Sequence, residues 1–198
     1  MSITLRIALS VPFICLAACA AGPGAPRDAA APRVSKTHSI VFDGATFTEL
    51  FVTRKDGDSL REYYLPGETP EKWTRFVELR VYSGTAQGMS AQEFVKDMDR
   101  RLKQRDPKAE TDMILRPDGG AGYNFGTRTG DDALAGASEF NAFKFTTDAH
   151  SGALIAFHYV ERFPGNTADR DDRDAALRMT QIEARIKPEI EAVPAYQE

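Results

Sequence analysis

The architecture follows from EFNAFKFTT at residues 139–147 and ALIAFHYVERF at residues 153–163. Both segments are rich in aromatic and β-branched residues, which favours strands. Both are apolar on two faces for much of their length, which is typical of strands that are covered on both sides. The connecting DAHSG at residues 148–152 has a turn composition. We therefore predict antiparallel strands over 137–147 and 152–162, in a sheet that has a helix on each face.

Six further segments have strand-like patterns. They cover residues 39–42, 46–54, 60–65, 73–82, 110–116 and 121–128. Turn signals separate them, and the clearest are Asp43-Gly44, Asp56-Gly57 and Asp118-Gly119-Gly120. Between Trp73 and Tyr82 the residues alternate, so that one face of this strand is largely apolar. The spacing of these segments predicts short connections between antiparallel neighbours.

Two segments predict helices. Ser90 and Glu93 form a capping box, and Pro107 prevents continuation, which together predict a helix over 90–106. A second helix is predicted from Thr167 to Lys187, ended by Pro188 and preceded by acidic residues that the helix dipole favours. The order of elements predicts an α+β domain over 37–190, an antiparallel sheet flanked by helices in an α/β/α sandwich. Residues 191–198 are predicted to form a C-terminal tail.

The first 36 residues differ in composition from the rest. Arg6 precedes an uncharged apolar run from Ile7 to Ala18. This run fits the hydrophobic region of a secretory signal and is too short for a membrane span, which needs about 20 apolar residues. Residues 20–36 are rich in Ala, Pro and Gly without apolar periodicity. We therefore predict a signal peptide over 1–18 and a disordered tether over 19–36.

The end of the apolar run, Leu16-Ala17-Ala18-Cys19, resembles the lipobox of bacterial lipoproteins. The resemblance implies cleavage between Ala18 and Cys19, acylation of Cys19 and attachment to a membrane through that lipid. In such proteins Ala20 favours the periplasmic face of the outer membrane, with the inner membrane as an alternative. A plain cleaved signal would instead release a soluble periplasmic protein. The resemblance also implies that Cys15 leaves with the signal and that Cys19 is acylated, which would exclude cysteine catalysis.

The order of four strands, a helix, four strands and a helix, together with the predicted export, resembles the Mog1/PsbP-like fold. That group includes periplasmic lipoproteins of the DcrB type. The segment EYYLPGETPEKWT at residues 62–74 is also similar to a stretch found in uncharacterised proteobacterial envelope proteins. Domains of this fold mostly serve as binding or accessory modules, so the resemblance implies a non-enzymatic role, although fold alone does not fix function.

The composition and the motifs of the chain argue against several classes of function. The net charge is −4 and no basic patch stands out, which argues against a nucleic-acid partner. Motifs for nucleotide phosphates, serine hydrolysis and zinc proteolysis are absent from the sequence, and we expect no cofactor, metal or catalytic residue. His158 could act as a base with Glu161 or Asp148. Its apolar neighbours on the same strand face favour a buried, hydrogen-bonded histidine instead.

Aromatic residues concentrate beside the Pro66–Pro70 loop. Tyr63 and Tyr64 should point to opposite faces of their strand, which predicts that one of them is exposed. With Glu68 and Trp73 they form a candidate partner surface; the alternative is that all of them are packing residues. We expect a binding or accessory module for an envelope protein. The alternatives are a periplasmic small-molecule carrier or sensor with a pocket between helix and sheet, and an unrecognised enzyme.

Overall fold

The computed structural model describes residues 38–84, 86, 88–107, 109–128, 137–164 and 173–194. All of these belong to one unit, Thr37–Glu198. The strands are β1 (Ser39–Phe42), β2 (Ala45–Lys55), β3 (Asp58–Tyr64), β4 (Arg75–Tyr82), β5 (Thr111–Leu115), β6 (Ala121–Arg128), β7 (Ala137–Thr147) and β8 (Leu154–Pro164). The helices are α1 (Ala91–Arg105) and α2 (Arg173–Ala192). The predicted signal peptide, cleavage site and tether lie outside the described residues.

The eight strands form one antiparallel sheet in the order β1-β2-β3-β4-β8-β7-β6-β5. Each half of the sheet is a meander of four sequential strands, followed along the chain by a helix. The two meanders meet where β4 pairs with β8. The predicted α+β class and antiparallel pairing are therefore confirmed, and all eight predicted strands are found within a few residues of their expected bounds.

Two hairpins in the first meander close through the predicted two-residue turns. Asp43 and Gly44 have φ angles of 50° and 66°, and Asp56 and Gly57 have φ angles of 54° and 87°. Positive φ at both central residues matches the right-handed twist of paired strands, and Asp-Gly tolerates it better than most sequences. These turns fix the β1–β2 and β2–β3 registers.

Helix α2 covers one face of the sheet. Its Ala175, Ile182, Ile186 and Ile190 are buried against apolar side chains of both meanders. The sheet residues of this core are Phe42, Phe47, Tyr63, Val77, Leu79, Phe140, Ala142, Phe157, Tyr159 and Phe163. Burial of one large aliphatic side chain contributes about 1.5–3 kcal/mol, so this helix stabilises the sheet across the junction of its halves.

Helix α1 covers the opposite face, mainly over the second meander. Phe94 packs on Tyr82 of β4 and Phe145 of β7, with ring centroids 4.8 and 5.5 Å apart. The predicted capping box is present, because the Ser90 hydroxyl accepts from the Glu93 amide and the Glu93 carboxylate accepts from the Ser90 amide. The two helices therefore lie on opposite faces, as the apolar segments of β7 and β8 predict.

The predicted end of α2 is wrong. The helix continues through Pro188 to Ala192, so the tail predicted from residue 191 begins later. Proline removes one helical hydrogen bond and costs about 3 kcal/mol in a helix interior. Burial of Ile190 and the bond from the Asp43 amide to the Glu189 carboxylate hold the last turn on the sheet. The predicted start at Thr167 and Asp169–Asp172 lie outside the described residues.

No helix in the described part of the chain has the length and apolar character to cross a membrane.

Replacing Ile182 by alanine tests the role of α2. Ile182 is 1% exposed in the core, so Ile182→Ala should lower the free energy of unfolding by about 2–5 kcal/mol in urea denaturation. Leu177 on the same helix is 57% exposed, and Leu177→Ala should change it by less than about 0.5 kcal/mol. Equal losses in the two variants would contradict the packing of α2 described above.

Candidate functional site

Polar side chains lie side by side on the α1 face, across four neighbouring strands, β3, β4, β8 and β7. Glu62 on β3 is the cross-strand partner of Glu78 on β4, and Glu78 is the partner of His158 on β8. All three are buried. We use the name buried polar row for Glu62, Tyr64, Glu78, Arg80, Asn141 and His158. Charged and polar side chains are rarely buried unless they are paired. The contacts of these six residues therefore decide whether the row is structural or catalytic.

The two carboxylates of the row are held differently. Tyr64 donates its hydroxyl hydrogen to Glu62 Oε2 at 2.7 Å. Burial raises the pKa of Glu62, and the nearby Glu78 adds to the increase. Burial alone would also raise the pKa of Glu78, but the charge of Arg80, 3.0 Å away, and the contact with His158 lower it. The pKa values of the two carboxylates are thus shifted in opposite directions.

His158 completes the row. Its Nε2 lies 3.1 Å from Asn141 Oδ1. Its Nδ1 faces Glu78 Oε1 at 3.9 Å. The ring stacks on Phe143 with centroids 3.7 Å apart. Burial lowers the pKa of His158, although Glu78 acts in the opposite direction. The imidazole is therefore neutral at pH 7.

A neutral imidazole beside a carboxylate can act as a general base when a substrate reaches it. His158 is only 1% exposed, however, and both of its nitrogens face side chains of the row. The arrangement therefore fits a structural role. No group of three side chains able to hold a metal ion occurs among the residues that the structure describes.

A second polar cluster fastens α2 to the other face. Tyr159 contacts Asp43 Oδ2 at 3.0 Å and Glu161 Oε2 at 2.8 Å, and Arg75 donates to Asp43 at 2.8 Å. Arg185 of α2 binds both carboxylates. This carboxylate–arginine cluster joins the β1–β2 turn, β4, β8 and α2. Because both carboxylates are paired with guanidinium groups, the charge at this edge of the apolar core is compensated.

A groove runs between α2 and the second meander. It has an empty volume of about 340 Å³, which includes open solvent. Its lining includes Ile114, Arg116, Asn124, Lys144, Glu183 and Ile190. Lys144 donates to the carbonyl of Glu191 at 2.8 Å, and burial and the charge of Arg116 lower its pKa. The groove is thus open, with charged side chains of both signs.

A protein-family model of unknown function matches residues 34–196. The chain belongs to this family. The matched segment includes every described residue, both polar clusters and the groove. No curated protein and no solved structure matches the chain. Membership in this family therefore defines the extent of the domain and assigns it no activity.

The four residues of the predicted partner surface lie in different surroundings. Tyr63 and Tyr64 do point to opposite faces, but both are buried, so neither is exposed and the alternative, that they are packing residues, holds for both. Tyr63 belongs to the core under α2, and Tyr64 belongs to the buried polar row. Trp73 is half-buried beneath the guanidinium of Arg162, 3.7 Å from its ring centroid. Glu68 accepts from the Thr74 amide at 2.9 Å. Ala18 and Cys19 lie outside the described residues.

The expectation of a buried, hydrogen-bonded His158 is confirmed: it pairs with Asn141 at 3.1 Å, and Glu78 lies 3.9 Å from its Nδ1. Glu161 is three residues away on the same strand and therefore points to the opposite face. Glu62 and Glu78 were not identified from the sequence as members of a buried polar row. The two glutamates alternate with apolar residues along their strands, and this pattern is typical of a strand whose polar face is exposed. It does not reveal that the polar face is covered too.

The pH dependence of folding tests the state of His158. Its lowered pKa means that, below about pH 6.5, the unfolded chain binds a proton that the folded chain does not. Stability should therefore fall on acidification, by up to about 1.4 kcal/mol per pH unit from this group. In His158→Gln this contribution should disappear from urea denaturation curves recorded between pH 7.5 and 5.5.

His150→Gln is the matched control, because His150 lies in an exposed turn. It should keep the pH dependence of the parent chain. An unchanged pH dependence in His158→Gln would show that His158 is not held neutral.

Proposed function

We propose that the chain is a lipid-anchored envelope protein whose domain acts as a non-enzymatic binding module facing the periplasm. The observation that carries the proposal is the position of the exposed large apolar side chains. Of the six in the described residues, five lie on β1, β2 and β5, at the two sides of the sheet. They are Val41, Leu50, Val52, Met113 and Leu115. Sheet edges with exposed apolar residues are common sites of protein association.

Burial of the His158–Glu78 pair supports a non-enzymatic role. His158 and Glu78 are the groups in the described residues closest to a catalytic pair, and both lie inside the sheet core. Their contacts are with neighbouring strands rather than with an open cleft. The domain thus offers its outer surface, and not this polar row, to other molecules.

We propose attachment through Cys19 at the periplasmic face of the outer membrane. The family match begins at residue 34, near the end of the predicted tether, which supports a division between anchor and domain. Lasting attachment needs at least two acyl chains, and a lipoprotein cysteine is expected to carry them. The order of elements supports a variant of the Mog1/PsbP-like fold.

The groove under α2 supports a second candidate function, a carrier or sensor of a small charged molecule. It places Arg116, Lys144 and Glu183 around an opening between helix and sheet, where such a pocket was predicted. The groove is open to solvent, whereas small-molecule sites bury most of their ligand. The binding module is therefore the better supported of the two.

Cys19→Ala tests the anchor in the native host. The variant should lose incorporation of labelled fatty acid and leave the membrane fraction, or accumulate unprocessed, because the acylated thiol is gone. Cys15→Ala changes the other cysteine and should remain acylated and membrane-bound. Unchanged fractionation of Cys19→Ala would contradict the lipid anchor.

The binding role is tested by purifying the anchored full-length chain from native envelope through a C-terminal tag. An envelope protein should copurify in near-stoichiometric amount. If nothing copurifies after mild crosslinking, the binding role is wrong.

A further inference from the structure

The outer side of β2 is only partly paired. β2 has eleven residues, and β1 pairs with the first four, Ala45–Thr48. The carbonyl of His38 then accepts from the Glu49 amide at 3.0 Å. Within the described ranges no strand pairs with the outer side of β2 beyond this point. We use the name β2 edge for residues 50–55.

The backbone of the β2 edge has outward hydrogen-bonding groups that a further strand could pair with. A bulge between Glu49 and Phe51 shifts the register with β3, and Lys55 pairs with Asp58 next to the two-residue turn. In an antiparallel ladder the residues alternate between bonding to one neighbour and to the other. From Lys55 back to the bulge, this alternation turns the backbone N–H and C=O groups of Arg54 and Val52 outward. Such groups can pair with an added strand.

The side chains of the β2 edge define the chemistry of that strand. Leu50 is 54% and Val52 is 45% exposed. Arg54 and Lys55 follow them, both exposed and without an ion pair to any described residue. Residues 50–55 contain these two cations and no carboxylate. Asp56 and Asp58 lie in the adjoining turn, and Asp58 accepts from the Gly84 amide at 2.8 Å, toward the end of β4 and away from the β2 edge. The β2 edge thus combines an apolar part with a basic end.

We propose that the β2 edge is the docking site for an extended acidic segment of a partner protein, which adds to the sheet as an antiparallel strand. Backbone hydrogen bonds would supply affinity, Leu50 and Val52 would pack on apolar residues, and carboxylates would face Arg54 and Lys55. The proposal rests on the proposed binding function, and it is independent of the lipid anchor.

Two occupants from this chain are less well matched. The segment before β1, residues 29–37, carries Arg33 and Lys36 and no carboxylate, so it lacks the negative charge that would complement Arg54 and Lys55. A second copy that used its own β2 edge would bring the same two cations. The β5 edge of a second copy carries Asp112 and is preceded by Glu110, so the experiment must distinguish it from a separate partner.

The test uses the full-length chain in detergent and a blocked synthetic peptide, EETVTVT. In antiparallel alignment its glutamates face Lys55 and Arg54. The control peptide, KKTVTVT, differs only in charge. Isothermal titration should detect binding of the acidic peptide and no binding of the basic one. Equal binding of the two peptides, or no binding of either, would overturn the proposal.

Variants locate the binding. The double variant Arg54→Glu/Lys55→Glu should weaken binding of the acidic peptide at least about tenfold, because two attractive pairs become repulsive. Arg100→Glu/Arg101→Glu makes the same charge change on exposed α1 residues and should bind as the parent does. Equal affinity in the two double variants would overturn the proposal.

Val52 tests the backbone contribution. Val52→Pro removes an outward N–H and should weaken peptide binding, whereas Val52→Thr keeps the N–H and should bind nearly as the parent does. If Val52→Pro unfolds, the charge variants still decide the question, since they alter only exposed side chains. Equal peptide affinity in a folded Val52→Pro and in Val52→Thr would contradict strand addition.

Sedimentation of the same samples separates the rivals. Self-association that disappears in Arg54→Glu/Lys55→Glu would assign the β2 edge to a second copy and overturn the proposal. Peptide binding that appears only after removal of residues 1–36 would assign it to the chain's own N-terminal segment, with the same consequence. A copurifying envelope protein that is retained by the charge variant would leave the binding function standing without this site.

Discussion

The pairing of β4 with β8 is the constraint on which the rest of the structure depends. It runs from Arg75 opposite Glu161 to Tyr82 opposite Leu154, and it joins two meanders that are otherwise built from local hairpins. On the α2 face it sets Val77 against Tyr159, and on the α1 face it sets Glu78 against His158. The partners are more than seventy residues apart in the chain, so this contact carries a larger loop-closure cost than any hairpin. We expect its formation to limit the folding rate.

The two faces of this junction are stabilised by different interactions. Under α2 the contacts are apolar, and the carboxylate–arginine cluster lies at their margin. On the α1 face the row is polar, and each charged group there has a partner of opposite charge or a hydrogen-bond donor. A pair of this kind adds little net stability, but it is costly to break. A one-residue slip would move Glu78 to the apolar face, so we infer that the row secures the register of the central strands.

The two edges of the sheet differ in charge and in how their strands are paired. β1 is short and leaves the end of β2 open, beside Arg54 and Lys55, whereas β5 carries Asp112. Natural proteins usually protect sheet edges with charges and bulges, and both occur on β2. The same features select the charge of any strand that does add. A family domain with no assigned activity therefore still has a sheet edge of definite chemistry.

Local pattern alone predicted most of the elements of this protein. Alternation, the Asp-Gly turns and the capping box at Ser90 are properties of neighbouring residues, so the strands, two hairpins and α1 followed from them. Sequence reasoning failed where distant segments decide the outcome: α2 passes Pro188 because Ile190 is buried on the sheet, and Tyr64 is buried within the polar row. The pairing of Glu78 with His158 was equally hidden. Only the tertiary structure decided that β4 pairs with β8 and that the polar face of β3 and β4 is covered as well, because these depend on contacts between residues far apart in the chain.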